Sequence, residues 1–183
     1  PEHKIQIISP DIGGGFGGKE TRNVPLSAAA AIAAHKTGRP IRVLLSRDVD
    51  MCITGQRHPF YAQYKVGAMK DGRIHAFQLQ LYSNGGCSFD LSGAVMDRAL
   101  FHSDNCYQFP HMKVSGRICK TNLPSNTAFR GFGGPQGLFF CEDIVERLAT
   151  VLRLSPNSVR SLNFYKEQDV THFGQTITDW TYV

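Results

Sequence analysis

The tetrapeptide Gly-Phe-Gly-Gly occurs twice in this chain, as Gly15-Phe16-Gly17-Gly18 and as Gly131-Phe132-Gly133-Gly134. Glycine supplies about 7% of an average chain, so even one such run is uncommon. Glycine turns leave main-chain N–H groups open, and a turn entering a helix adds the unpaired N–H groups of the first helical residues. Two such loops facing one anion would hold an oxo-anion or a charged cofactor. Charged side chains stand beside both: Lys19 and Glu20 follow the first loop, and Arg130 opens the second.

The first loop also imitates a different site. Gly13-Gly14-Gly15-Phe16-Gly17-Gly18-Lys19 fits G-x-x-x-x-G-K, the phosphate-binding P-loop, and is expected between a strand and a helix. The next residue breaks the match. A P-loop needs a Ser or Thr hydroxyl there for magnesium, and Glu20 would instead repel the phosphate. A P-loop-like nucleotide-binding protein is the minority reading. The plainer alternative is a glycine turn that only lets a strand and a helix pack closely. Phe16 weighs against it, because an aromatic wedged between glycines pins a loop whose amides stay free.

The elements that must position these loops follow from periodicity and punctuation. Alternation predicts a strand over Lys4–Ser9, with Ile5 and Ile7 on one face. After the first loop, Asn23 is the expected N-cap and Pro25 fits an early helical position. The helix over Leu26–Lys36 should stop at Gly38, and Pro40–Leu45 reads as a second strand. Between Tyr61 and Tyr82, two strand-like stretches flank Lys70-Asp71-Gly72-Arg73, a hairpin signal. Ser92–His102 reads as a short helix with Val95, Ala99 and Leu100 inward, and His111–Thr121 as a strand. Phe139–Leu154 carries an apolar face through Cys141, Ile144, Val145, Leu148, Val151 and Leu152, with Asp143 and Arg147 paired outside. Ser155-Pro156 restarts a helix. The expected class is α+β, mixed sheets with packed helices.

Composition sets the remaining bounds. With 183 residues, 42% hydrophobic and 19% charged, the chain suits one domain with a core, or a piece of a larger protein. It opens on Pro1 and stops at Val183 without a polar tail, so residues 1–183 are expected to be an internal fragment. The net charge of +5 comes from Lys and Arg scattered singly, so no nucleic-acid partner is expected. The five cysteines are odd in number, widely spaced and lack Cys-x-x-Cys, which argues for reduced thiols rather than a disulfide framework or zinc site. No signal peptide opens the chain, and the longest apolar run, Ala28 to Ala34, is too short to span a bilayer. The expected setting is soluble and cytoplasmic, with a peroxisome as the alternative, and no membrane partner.

Read together, Gly13–Arg22 and Asn122–Gln136 resemble the molybdenum-cofactor domain of the xanthine dehydrogenase and aldehyde oxidase family. Arg57-His58-Pro59-Phe60 and Arg98-Ala99-Leu100-Phe101-His102 resemble its xanthine dehydrogenase branch, and the similarity runs across essentially the whole chain. The resemblance implies part of the molybdopterin-binding domain and assigns the residues as follows. Phe16 and Gly17 present backbone amides beside the molybdenum centre, and Arg130 lies against the metal through its main chain. Glu20 hydrogen-bonds the purine and assists its tautomeric change. Arg98 stabilises negative charge growing on the distant purine oxygen, Phe132 packs on the flat ring, and Leu91 lines the substrate channel. Glu20 and Arg98 are thus the catalytic candidates.

Physical chemistry makes these implied roles sensible. Hydroxylation drives negative charge into an electron-poor purine, which a fixed guanidinium stabilises better than water does. A carboxyl in the same pocket moves a proton, and an aromatic side chain orients a planar ring. Arg98 alone would read as a solvated helix arginine pairing with Asp97 or Asp90; the resemblance reverses that. Aldehyde oxidases generally carry different residues at Glu20 and Arg98, so having both favours a purine substrate. The resemblance further implies molybdopterin as cofactor and, in the full-length protein, two 2Fe–2S clusters, FAD and NAD, with the whole enzyme a homodimer. The catalytic base, the clusters and the flavin would lie outside these residues, leaving the fragment alone inactive. The alternatives are an aldehyde oxidase of the same family and a non-catalytic relative that keeps the fold as a binding module.

Overall fold

A computed structural model describes residues 5–181. The elements run α1 (Asn23–Thr37), α2 (Arg47–Ile53), β1 (Phe60–Ala68), β2 (Ile74–Gly86), α3 (Ser92–Phe101), β3 (His111–Lys120), α4 (Gly134–Leu152) and α5 (Pro156–Asn163). β2 is the middle strand, antiparallel to β1 and parallel to β3. The β1–β2 hairpin turns where Asp-Gly predicts it: Gly72 takes φ 99°, and the Met69 N–H donates to the Arg73 carbonyl at 2.8 Å. A parallel β2–β3 pair needs a crossover, and α3 lies within it. The class is α+β, as the sequence implies.

Alternation along β2 buries Phe77, Leu79 and Leu81 on one face. Cys141, Ile144, Val145 and Ala149 of α4 join them, with Met96 and Ala99 of α3 and Val159 of α5. Of the apolar face expected for α4, Cys141, Ile144, Val145 and Leu148 close the core, whereas Val151 near the helix end is exposed; Asp143 and Arg147 pair outside at 2.7 Å. Asn163 fastens α5 to the hairpin. Its buried amide donates to the carbonyls of Gly72 (3.0 Å) and Val159 (2.7 Å) and accepts from the Ile74 N–H (2.9 Å).

α3 and α4 touch through glycine. A Cβ on Gly133 would lie 2.0 Å from the Val95 carbonyl oxygen, and one on Gly137 would lie 2.3 Å from that of Ala99. No side chain fits either position, so the second Gly-Phe-Gly-Gly is the hinge-plate on which the two helices meet.

The expectations fail in the first third of the chain. Neither Lys4–Ser9 nor Pro40–Leu45 is a strand: residues 5–9 and 40–45 carry no regular structure, and Lys4 lies outside the described residues. Their apolar side chains are exposed, Ile7 at 91% and Leu44 at 81%. A strand needs a neighbour to close its ladder, and among the described residues neither stretch has one. α2 went unforeseen; Asp48 and Asp50 in its first turn suit the positive helix end. Asn23 is the first residue of α1 rather than its cap, which is Arg22. Gly38 does close α1 in the left-handed region, donating to the Ala34 carbonyl at 2.9 Å. α4 begins at Gly134 instead of Phe139, because Pro135 suits a first turn and the glycines tolerate it. No helix among the described residues is long and apolar enough to cross a membrane.

Candidate cofactor-binding site

The two tetrapeptides share their letters and the backbone of their Phe-Gly steps, although Gly131 is left-handed at φ 95° and Gly15 is not. Phe16 and Phe132 have φ 51° and 53°, and the glycines after them, Gly17 and Gly133, both have φ 94°. A bulky residue in the left-handed region is uncommon and is held only where its surroundings demand it. The first loop meets the second directly. A Cβ on Gly17 would stand 2.3 Å from the Ala128 carbonyl oxygen and 2.8 Å from the Phe129 nitrogen, so only glycine allows the approach. Across the junction the Arg130 guanidinium lies 5.3 Å from the Phe16 ring centroid, a cation–π distance.

Beside this junction opens a cavity of about 900 Å³, walled by Phe16, Lys19, Leu45, Met51, Ala128 and Arg130 among others. Its size suits a cofactor. The amides of Phe16, Gly17 and Gly18 donate to no acceptor among the described residues. Open N–H donors with a guanidinium beside them are the donor set an anionic group requires. Among the described residues no cluster of three or more His, Cys, Asp or Glu side chains is placed to hold a metal ion.

Ion pairs and hydrogen bonds between distant segments fix the junction. Thr21 donates to Asp90 at 2.8 Å, and Arg22 pairs with the other Asp90 oxygen at 3.1 Å. Arg22 also donates to the Ser125 carbonyl at 3.4 Å. Burial opposes ionisation of Asp90, but the neighbouring Thr127 and Thr21 hydroxyls and the Arg22 charge outweigh it and hold the carboxyl below its usual range. The buried His58 ring meets the Ser92 hydroxyl at 2.8 Å at the start of α3; burial lowers its pKa, against the pull of the Asp90 charge. Arg57 donates to the Arg130 carbonyl at 2.6 Å. Sequence reasoning gave Arg22 and Arg57 no role and saw Asp90 only as a partner for Arg98. Nothing local marks such residues, because their partners lie about 70 residues away along the chain.

The structure sorts the seven expected site residues into two groups. Phe16, Gly17 and Arg130 meet at the loop junction. Glu20, Leu91, Arg98 and Phe132 do not line the large cavity. Glu20 is exposed and Leu91 half-buried, on either side of the Thr21–Asp90 bond. Arg98 is exposed on α3, and its Nε would lie 4.0 Å from a Cβ on Gly134, which puts it beside the end of the second loop. No ion pair joins Arg98 to Asp97 or Asp90 among the described residues; Asp90 is taken by Arg22. Nor do Glu20 and Arg98 touch each other among the described residues. The P-loop reading loses its frame: no strand precedes the loop among the described residues, and Lys19 sits in a turn ahead of α1 instead of at its start.

Comparison with known proteins agrees with this geometry. Residues 1–164 match the model of a family described as the molybdopterin cofactor-binding domain. The chain is 55% identical over 181 residues to the xanthine dehydrogenase/oxidase of Felis catus, covering 99% of this chain and 14% of that protein. It is 50% identical over 181 residues to xanthine dehydrogenase 1 of Arabidopsis thaliana, covering 99% of this chain and 13% of that one. Among solved structures, the aldehyde oxidoreductase of Desulfovibrio desulfuricans superposes with a TM-score of 0.78 at 30% identity, over 90% of this chain and 18% of that chain. The chain therefore spans about one-seventh of the length of the curated relatives it matches.

Proposed function

This chain belongs to the molybdopterin cofactor-binding domain family, and on that premise we propose that residues 1–183 are part of the molybdenum domain of a xanthine dehydrogenase. That enzyme would oxidise hypoxanthine and xanthine to urate. One observation carries the reading: two loops of one sequence, alike in backbone at their Phe-Gly steps, meet in contact that only glycine permits, with amides open beside a cavity of about 900 Å³. Molybdopterin fits this donor set, since its phosphate and its metal-oxo group are anionic. When bound, it would supply the oxygen transfer and accept the two electrons. Main-chain N–H groups of Phe16 and Gly17 and the main chain of Arg130 would hold it.

The chain's own side chains account for the substrate. Glu20 hydrogen-bonds ring nitrogens and moves a proton between them, and its exposure leaves the carboxyl free to do so. Arg98, with no carboxylate partner among the described residues, is available to the purine oxygen on which negative charge grows. Phe132 stacks on the ring and Leu91 lines its approach. Identities of 50–55% to proteins named for xanthine, against 30% to one named for aldehydes, support the purine over the runner-up, an aldehyde oxidase. The two 2Fe–2S clusters, FAD and NAD would bind outside these residues in a homodimeric, cytoplasmic enzyme, where the five unbridged thiols stay reduced.

The test is kinetic. In the full-length protein, Glu20→Val and Arg98→Met should each lower kcat for xanthine by about 100-fold, the typical loss for one transition-state charge contact, and spare aromatic aldehyde turnover. Unchanged xanthine kinetics in both variants would remove these residues from the site.

A further inference from the structure

Residues 56–58 form a strap across the second glycine loop. The Gln56 carbonyl accepts from the Thr127 N–H at 3.0 Å, Arg57 Nη2 donates to the Arg130 carbonyl at 2.6 Å, and the His58 carbonyl accepts from Gln136 Nε2 at 3.2 Å. Three successive residues thus hold the loop at Thr127, at Arg130 just ahead of its glycines, and at Gln136 just after them. Arg57 is held in turn: its Cζ lies 4.7 Å from the Phe129 ring centroid, and its Nη1 is buried without a partner, 3.8 Å from where a Gly131 Cβ would be. Arg130 stands in the cavity wall and Arg57 does not.

We propose that Arg57 is a positioning residue that turns the Arg130–Gly131 peptide so that its N–H, and not its carbonyl, faces the cofactor. A trans peptide is planar, with C=O and N–H pointing opposite ways, and no cis bond occurs among the described residues. Pinning the Arg130 oxygen to a guanidinium outside the cavity aims the Gly131 N–H the other way. It also moves the negative end of the carbonyl dipole off an anionic ligand. The peptide needs such a restraint because Gly131, at φ 95°, has no Cβ to resist a flip. A lysine would not replace Arg57, since the bond to Arg130 and the stacking on Phe129 use a planar fork.

The inference rests on the molybdenum reading, and one set of measurements separates the two. Full-length protein, unsubstituted and with Arg57→Met or Arg57→Lys, is assayed for bound molybdenum and pterin after dialysis, for the molybdenum EPR signal, and for melting temperature. Arg57→Met should lose about tenfold in molybdenum retention, the range seen when an outer-shell partner is removed, or shift the EPR signal, while melting stays close to the unsubstituted protein. Arg57→Lys should fall between, and methylguanidinium should restore retention in Arg57→Gly. A fully loaded Arg57→Met with an unaltered EPR signal overturns the inference alone. If Arg57→Met does not fold, the same spectra on Arg57→Lys decide, an unaltered signal overturning it. Unsubstituted protein that binds no molybdenum overturns the functional reading and this inference with it.

Discussion

At the residue scale, the glycines of the two loops are separable by what a methyl group would meet. Gly17 combines φ 94° with a Cβ position 2.3 Å from a backbone oxygen, whereas Gly13 has nothing within 4 Å. Gly17→Ala should therefore cost about 1–3 kcal/mol in backbone strain, before the steric clash is added, and separate the loops. Gly13→Ala should be near neutral. Thermal melts of the two variants check this; equal melting temperatures would mean that the loop junction is not held as described. The twin tetrapeptide was legible in the sequence because glycine content and aromatic spacing are local signals. The roles proposed for Glu20 and Arg98 rest on family resemblance alone, since an exposed carboxylate after a loop and an exposed arginine on a helix look ordinary. Arg22 and Arg57 were not legible at all: Arg22 acts through Asp90 and Arg57 through the Arg130 carbonyl, partners about 70 residues away that no local pattern marks.

At the element scale, the hairpin, α3, β3, α4 and α5 follow from periodicity because each buries an apolar face against the others. The same rule, applied to Lys4–Ser9 and Pro40–Leu45, fails because alternation predicts a strand only when another strand lies beside it. α1 shows the related effect. Its alanine-rich sequence makes a good helix, yet none of its residues is buried, so propensity and capping hold it more than packing does. Asn163 links α5 to the hairpin through its buried amide. Asn163→Ala would remove all three of its hydrogen bonds and leave the Ile74 N–H buried without a partner, costing about 1–3 kcal/mol. A denaturant melt in which Asn163→Ala is as stable as the unsubstituted protein would show that α5 is not fastened to the hairpin through this side chain.

At the scale of the whole molecule, one well-packed unit of three strands with α3, α4 and α5 carries the second glycine loop. The segment before β1 brings the first loop against it while leaving Ile5, Ile7, Ile8 and Leu44 in solvent. The site thus depends on the packed unit for position and on a few long-range polar links, Thr21 and Arg22 to Asp90 above all, for closure. The net charge of +5 plays no part in that closure, which rests on single pairs. The central claim is that this molecule serves a molybdenum centre acting on purines. Its most direct test is xanthine-dependent NAD⁺ reduction by the full-length protein, measured as kcat/KM beside an aromatic aldehyde. Xanthine should be clearly preferred. Preference for the aldehyde would keep the cofactor site and contradict the purine roles of Glu20 and Arg98.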